Sequence, residues 1–229
     1  LPVLLEEVLA YLSPQTDGGL LVDGTLGEGG HSVAFLQSFP ALRVIGVDAD
    51  QIMLERARQR LEPYAQRVEF VNDWFDAYLE RTAEHPDRVL LDLGISTFHL
   101  TGAERGFSFK GDEPLDMRLS HSGDRTAADI VNSENETDLA DTIFRYGEER
   151  LSRRIARSIV ESRKQKSIET TGELEQIIWR SVPQSYRHGR IHPATRTFQA
   201  LRIAVNDELT RVERALPAAA AALAPGGKL

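Results

Sequence analysis

The chain has 229 residues, no cysteine and a formal net charge of −8 at pH 7. This excludes disulfides and cysteine-ligated metal sites, and it argues against a protein that binds nucleic acid over its whole surface. No apolar run approaches the roughly 20 residues of a membrane-spanning helix, and the opening stretch LPVLLEEVLAYL lacks the basic lead of a secretory signal, so we expect a cytoplasmic protein with no membrane partner.

Helix-like and strand-like segments alternate through the first hundred residues or so. Apolar residues recur at helical spacing over the first dozen residues, and the segments 31–39 and 50–64 also fit helices. Short apolar runs of the kind that form strands lie at 18–23, 43–48, 67–71 and 88–93. The alternation predicts βαβ units, and therefore an α/β fold with a parallel sheet buried on both faces.

The second half of the chain has a different pattern. Residues 102–118 are rich in Gly, Pro and mixed charge, which indicates a loop. Helical patterns follow at 126–131, 136–146, 148–163 and 172–181. Pro193 then suits the start of one long helix, with an apolar face marked by Phe198, Leu201, Val205 and Leu209. Because APGGKL then leads into a further strand, the simplest architecture is an α/β domain with a helical insertion at 103–190.

A glycine-rich turn and three carboxylates lie where the predicted strands end. Asp23, Asp48 and Asp92 close three strands, at the edge of a parallel sheet where ligands bind. The turn LGEGGHS supplies two glycines of the dinucleotide fingerprint G-x-G-x-x-G, but its third position is a serine. Asp48 follows at the distance expected of an acid that binds ribose hydroxyls. The pattern favours an adenosine-containing cofactor, and the alternative is an ordinary turn with Asp48 as a helix cap.

Positive charge is concentrated in one segment. Residues 145–202 contain 13 Lys or Arg and 6 Asp or Glu, a net +7, which leaves −15 for the rest of the chain. Such asymmetry indicates a region that faces a polyanion. The alternative is that Arg153, Arg154 and Arg157 form the solvated face of a helix.

Eight motifs follow one another along the chain: PVLLEEVL, VDGTLGEGGHS, LLDLGIS, ERGFSF, PLDMR, YGEER, RRIARSIV and HPATRTFQALRIAVNDEL. Together they closely resemble the RsmH (MraW) family of methyltransferases. The resemblance implies a Rossmann-like methyltransferase sheet with an inserted all-helical domain. It also implies methylation of the exocyclic N4 amine of a cytidine in the decoding region of 16S ribosomal RNA, with S-adenosyl-L-methionine as cofactor.

The resemblance assigns the cofactor-binding residues. Asp48 would bind the ribose hydroxyls and Phe75 would pack against adenine. Asp92 would lie nearest the methyl donor and is the candidate catalytic acceptor for the amine N–H. The remaining cofactor contacts would be Gly29, Gly30, His31 and His99, and no metal is implied.

Two positions depart from the family pattern. The segment NDWF at 72–75 has Asp73 where relatives have a glycine. The segment STFHL at 96–100 has His99 where relatives have a glutamine that contacts the cofactor. A histidine can still donate a hydrogen bond, but its charge varies with pH.

The resemblance also assigns the RNA contacts and the domains. Residues 1–102 plus 191–229 would form the methyltransferase domain, without its C-terminal strands, since relatives continue past APGGKL. Residues 103–190 would form the RNA-recognition domain, and the partner would be 16S rRNA in the small ribosomal subunit, with a homodimer as the oligomer. The phosphate contacts would be Arg153, Arg154, Arg157, Arg187 and Arg190.

Three alternatives stay open at this point. Phe107 and Phe109 could stack on a base or form the apolar hinge between the domain and its insertion. The protein could be a nucleotide-dependent oxidoreductase that uses the same kind of sheet. It could also be a non-enzymatic module that senses adenosine and binds RNA.

Overall fold

A parallel sheet organises the first of two compact units of the computed structural model. The structure describes residues 2–14, 18–101, 104–120 and 125–229. The first unit comprises Leu1–Gly94 and Leu209–Leu229, and the second comprises Ile95–Glu208.

The sheet has four strands in the order β3-β2-β1-β4, all parallel. Their bounds are β1 (Gly18–Asp23), β2 (Ala41–Asp48), β3 (Val68–Asn72) and β4 (Arg88–Leu90). The predicted α/β fold and its strands are confirmed, except that β4 is shorter than the predicted 88–93. At the C-terminal end, Lys228 forms a single parallel bridge to Arg88 where a further strand is predicted.

The described residues also form α-helices, which are divided between the two units. They are α1 (Leu5–Tyr11), α2 (Gly30–Ser38), α3 (Gln51–Arg60), α4 (Phe75–Arg81), α5 (Thr97–Thr101), α6 (Ala127–Ser133), α7 (Glu136–Gly147), α8 (Ser152–Arg163), α9 (Thr171–Ser181), α10 (Gln184–Arg187), α11 (Ala194–Asn206) and α12 (Glu208–Ala222). A 3₁₀ helix, Glu62–Arg67, connects α3 to β3. The sequence patterns do not predict α4, α5 or α10. No helix in these ranges combines the length and apolar character that a membrane crossing requires.

Both faces of the sheet are buried in the first unit, as the continuous apolar runs predict. Alternate side chains of a strand point to opposite faces, so Leu21 packs with residues of α2 and α3, including Phe35 and Leu54. Val22 packs on the other face, with Leu79 of α4 and Ala215 of α12. The sheet therefore lies between two helical layers, and its strand ends stay at an edge.

The second unit is a helical bundle with its own core. Helix α11 packs against α7, and α7 packs against α8. Capping boxes fix the starts of two helices, at Thr126 for α6 and at Thr170 for α9. The core is contributed by most of the helices in the unit and includes Leu139, Ile143, Ile155, Ile159 and Leu201.

The prediction of one long helix after Pro193 is wrong, because a break at Asp207 divides this segment into α11 and α12. That residue adopts a left-handed backbone with φ of 51° and ends α11. Just before it, the Asn206 amide donates to the Met117 carbonyl at 2.8 Å and accepts the Leu119 N–H at 2.8 Å. These bonds anchor α11 within the helical unit, whereas α12 continues into the first unit.

The compact units also correct the predicted domain boundaries. The predicted sheet domain includes 191–229 and the predicted insertion is 103–190, but residues 191–208 belong to the helical unit. The physical reason is the burial of Phe198 and Leu201 in the helical core. The segment 95–101 also belongs to the helical unit rather than to the sheet.

Candidate active site

The glycine-rich loop and Asp48 lie side by side, as predicted, at the ends of β1 and β2. The Leu26 N–H donates to the Val47 carbonyl at 3.0 Å. The next N–H, of Gly27, donates to Asp48 Oδ2 at 2.7 Å. The loop is therefore bonded directly to the acid, and both face the edge of the sheet.

Backbone groups fix the orientation of the Asp48 carboxylate. Its Oδ1 accepts the Asp50 N–H at 2.8 Å, while Oδ2 accepts the bond from Gly27. The cap of α3 is Asp50, whose Oδ1 accepts the Ile52 N–H at 2.9 Å. The alternative interpretation of Asp48 as the helix cap is therefore wrong. The half-buried Asp48 carboxylate is instead held at the strand edge by the two backbone N–H groups.

Gly29 has a structural reason to be glycine. It precedes α2 with a backbone φ of 74°, a value that residues with a side chain rarely adopt. A Cβ at this position would lie 2.8 Å from Leu61 Cδ1. The missing side chain therefore lets the start of α2 pack against the end of α3. The predicted cofactor contacts of Gly29 and Gly30 stay predictions.

Asp23, at the end of β1, is a buried carboxyl group beside the loop. It is 1% exposed, and its Oδ2 accepts the Ser32 hydroxyl at 2.7 Å. Its Oδ1 has no hydrogen-bond partner among the described residues. Burial raises the pKa of Asp23, an effect that the Ser32 bond and nearby His31 oppose. The sequence indicated Asp23 as one of three strand-end carboxylates but gave no sign of its burial.

His31 connects this cluster to Asp92. Its Nε2 lies 3.0 Å from the Val3 carbonyl, and its Nδ1 lies 3.9 Å from Asp92 Oδ2. Since a carbonyl only accepts, Nε2 carries a proton and the other nitrogen faces the carboxylate. The Asp92 side chain is 46% exposed, and its backbone N–H donates to Thr25 Oγ1 at 2.7 Å. The structure thus brings His31 and Asp92 together, with the carboxylate open to a ligand.

Phe75 and Asp73 lie in the loop after β3. Phe75 is half-buried at the start of α4, and its Cβ lies close to the position that a Cβ on Gly24 would occupy, 3.2 Å away. Asp73, which replaces the family glycine, pairs with Arg81 and accepts the Trp74 N–H at 2.8 Å. The substituted carboxylate is therefore engaged within its own loop.

His99 is buried within the helical unit. It is 5% exposed, its Nδ1 accepts the Ser96 N–H at 3.2 Å, and its ring centroid lies 5.2 Å from that of Phe107. Its predicted cofactor contact stays a prediction. Phe107, 6% exposed, belongs to the helical core, and Phe109 packs on Phe198 at 5.2 Å between ring centroids. Packing, rather than base stacking, therefore accounts for Phe107.

The five predicted RNA-binding arginines all lie in the helical unit. Arg153, Arg154 and Arg157 are exposed on α8, and Arg157 lies 3.3 Å from Glu136. Arg187 is half-buried over the Trp179 ring, 5.7 Å from its centroid. Arg190 is exposed. Their predicted contacts with RNA stay predictions.

The model of the MraW methylase family matches residues 1–229. The chain belongs to the MraW methylase family. It is therefore a methyltransferase with S-adenosylmethionine as its cofactor, which decides against the oxidoreductase and the non-enzymatic module.

Named relatives of this MraW-family chain are rRNA methyltransferases. Ribosomal RNA small subunit methyltransferase H of Treponema denticola is 56% identical over 230 residues, which cover 99% of this chain and 73% of that protein. The protein of the same name from Thermobifida fusca is 48% identical over 235 residues, covering 100% and 71%. A solved structure of an rRNA methylase from Streptococcus thermophilus is 24% identical, covers 38% of this chain and 51% of that one, and has a TM-score of 0.32. A likeness of that size adds nothing to the family match.

The residues at the strand edge fit this cofactor. Asp48 offers an oriented carboxylate of the kind that accepts a pair of hydroxyls. Asp92 offers a partly exposed carboxylate at the same edge, and negative charge there suits the positive sulfonium. Asp23 Oδ1 has no hydrogen-bond partner among the described residues, so it is a free acceptor at the buried end of this edge.

Asp23→Asn is expected to remove a pH-dependent loss of stability. Because the native pKa is raised, the native state holds more protons than the unfolded state at pH values between the unfolded and native pKa. The free energy of unfolding therefore falls as pH rises through that window, by about 1.4 kcal/mol per unit of pKa difference.

Urea unfolding of both proteins between pH 4.5 and 8 measures this effect. Asparagine cannot titrate, so the variant should gain stability relative to wild type as pH rises. A stability difference that stays constant across the range, or moves the other way, contradicts the assignment of a buried, ionising Asp23.

Proposed function

We propose that this chain transfers the methyl group of S-adenosylmethionine to the exocyclic N4 amine of a cytidine in the decoding region of 16S rRNA, within the small ribosomal subunit. The observation that carries the proposal is the 56% identity, over 99% of the chain, to a protein named ribosomal RNA small subunit methyltransferase H. The cytidine and its N4 amine come from the motif resemblance. A cytoplasmic enzyme and a homodimer are part of the same proposal.

The strand edge would bind the cofactor through Asp48, Phe75 and the glycine-rich loop. The oriented carboxylate of Asp48 would accept the ribose hydroxyls, and the ring of Phe75 would pack on adenine. Gly29, Gly30 and His31 would line the methionine end of the cofactor. When bound, the cofactor supplies an electrophilic methyl group on a sulfonium.

Asp92 would act on the substrate amine. The cytosine amine is a poor nucleophile, because its lone pair is delocalised into the ring. A hydrogen bond from the amine N–H to Asp92 would help the nitrogen to rehybridise, and the nitrogen would then be a better nucleophile toward the methyl group that the bound cofactor supplies. The amine proton then leaves to the carboxylate, which is exposed enough to pass it to water.

The helical unit would hold the RNA. The target base has to leave any stack to reach a methyl donor at a strand edge. Contacts to backbone phosphates fix the register of a nucleic acid and depend on positive charge. The basic segment within 145–202 supplies that charge, although the chain as a whole is acidic. Its predicted contacts are Arg153, Arg154, Arg157, Arg187 and Arg190.

Labelled methyl transfer tests this function. The chain is incubated with methyl-labelled S-adenosylmethionine and small ribosomal subunits from a strain that lacks the modification. Nucleoside analysis of the product should place the label in N4-methylcytidine of 16S rRNA. Label on another base, on a ribose hydroxyl or on protein would contradict the proposed substrate, and already modified subunits serve as the control.

A further inference from the structure

The loop YGEER joins α7 to α8 and borders a groove on the helical unit. The groove has a volume of about 310 Å³. Its walls include Phe144 of α7 and the arginines 150, 153 and 154. The proposed reaction gives this motif no role.

The loop is held in one conformation by its neighbours. A Cβ on Gly147 would lie 2.3 Å from the Arg196 carbonyl oxygen, so only glycine allows this close approach. Glu149 is fully buried, and its carboxylate accepts the Tyr186 hydroxyl at 2.8 and 2.9 Å and the Leu151 N–H at 2.8 Å. This fixed backbone presents Arg150 at the mouth of the groove.

The groove has the character of an anion site. Three arginines and a single carboxylate, Asp141, line it. It also includes the first turn of α8, where the helix dipole is positive and no side chain caps the helix. Ser152 lines the groove at 4% exposure, and its hydroxyl forms no hydrogen bond with any other residue that the structure describes. This hydroxyl, which has no partner among the described residues, is available to a ligand in the groove.

An exposed aromatic ring lies beside these donors. Phe144 is 56% exposed on α7, whereas Ile143 and Ala140 of the same helix face the core. An exposed aromatic ring next to a cluster of arginines is typical of proteins that bind single-stranded nucleic acid. In such proteins the bases stack on aromatic rings and the arginines contact phosphates. An acidic peptide would use the arginines but has no planar base for Phe144.

We propose that this groove binds one backbone phosphate of a single-stranded RNA segment, with Phe144 stacking on an adjacent base. The guanidiniums of Arg150, Arg153 and Arg154 and the Ser152 hydroxyl donate to the phosphate oxygens. The inference rests on the proposed function, because it treats RNA as the partner. It adds Arg150, Ser152 and Phe144 to the predicted contacts and assigns the arginines to a common phosphate.

Fluorescence anisotropy with a labelled 20-nucleotide single-stranded RNA tests the site in the full chain. The double variant R150Q/R153Q is expected to bind about tenfold more weakly, as for loss of a charge-assisted hydrogen bond. Its dependence of log affinity on log salt should weaken by about 0.7, the value for one phosphate on a single strand. Lys164→Gln, which removes an exposed charge at the other end of α8, is the matched control and should change the affinity less than twofold.

Two milder variants test the groove without removing charge. Ser152→Ala should weaken RNA binding severalfold, and Phe144→Leu should do the same at unchanged salt dependence, because stacking is lost and charge is kept. Wild-type affinity in the double variant, or a loss equal to that of Lys164→Gln, overturns the proposal. If poly-glutamate displaces the labelled RNA as well as unlabelled RNA does, the proposal is also overturned, in favour of an acidic protein partner. The anisotropy experiment measures RNA binding without methyl transfer. A failure of the methylation assay can therefore be distinguished from a failure of this proposed RNA site.

Discussion

Asp92→Asn is expected to lower kcat by about 100-fold or more, while the affinity for S-adenosylmethionine stays within about tenfold of wild type. General-base assistance of this kind contributes roughly 10²–10⁴ in rate. The Asp92 side chain is 46% exposed beside His31, and its backbone is fixed by the bond to Thr25. An asparagine keeps the size of the side chain and can still accept a bond, but it cannot receive the amine proton.

Single-turnover methyl transfer and calorimetric titration with the cofactor separate the two roles that Asp92 can have. A loss confined to kcat supports the role as acceptor for the amine. If the cofactor dissociation constant rises and kcat at saturating cofactor is unchanged, Asp92 serves the cofactor alone. Glu84→Gln, an exposed carboxylate of the same unit, is the matched control and should behave as wild type.

The strand edge was predictable because its signals are local. Each strand is a short apolar run that ends in or just before an aspartate, and the register of a parallel sheet then brings those ends together. The bond from Gly27 to Asp48 follows from this arrangement. The burial of Asp23 does not, because it depends on Ser32 turning back from α2 to the end of β1.

The break at Asp207 could not be predicted from periodicity. The apolar face of α11 continues through Val205 to Leu209 at helical spacing, so the pattern shows no interruption. The cause is tertiary, since Asn206 bonds to the segment around Met117, far away in the sequence. The boundary between the two units lies at that break. The predicted boundary is therefore wrong for the same reason.

Asp76→Ala is expected to lower the free energy of unfolding by about 3 kcal/mol, because it removes the shared carboxylate of a buried charge cluster. Asp76 is fully buried in the first turn of α4. Its Oδ1 accepts Arg211 Nη1 at 3.0 Å. Its Oδ2 lies 3.1 Å from Arg214 Nη1, at ion-pair distance but without hydrogen-bond geometry.

The size of this effect follows from what the cluster joins. Arg211 and Arg214 belong to α12, so the carboxylate ties α12 to α4 on one face of the sheet. Arg211 is 20% exposed and lies 3.8 Å over the Trp74 ring, so it would be left largely buried without its anion. Arg214 is 47% exposed and keeps its bonds to Glu80. These remaining contacts place the loss at the lower end of the usual 3–5 kcal/mol for one partner of a buried pair.

Thermal and urea unfolding of matched variants measure this contribution. Asp76→Ala should lower Tm by about 6–12 °C for a chain of this size. Glu80→Gln, one turn further along α4, removes an exposed partner of Arg214 and should cost much less than Asp76→Ala, because exposed ion pairs contribute little to stability. Asp76→Asn keeps one acceptor for Arg211 and should fall between them. Equal losses from Asp76→Ala and Glu80→Gln would show that the buried carboxylate contributes no more than a surface ion pair, and that α12 is held by its apolar contacts alone.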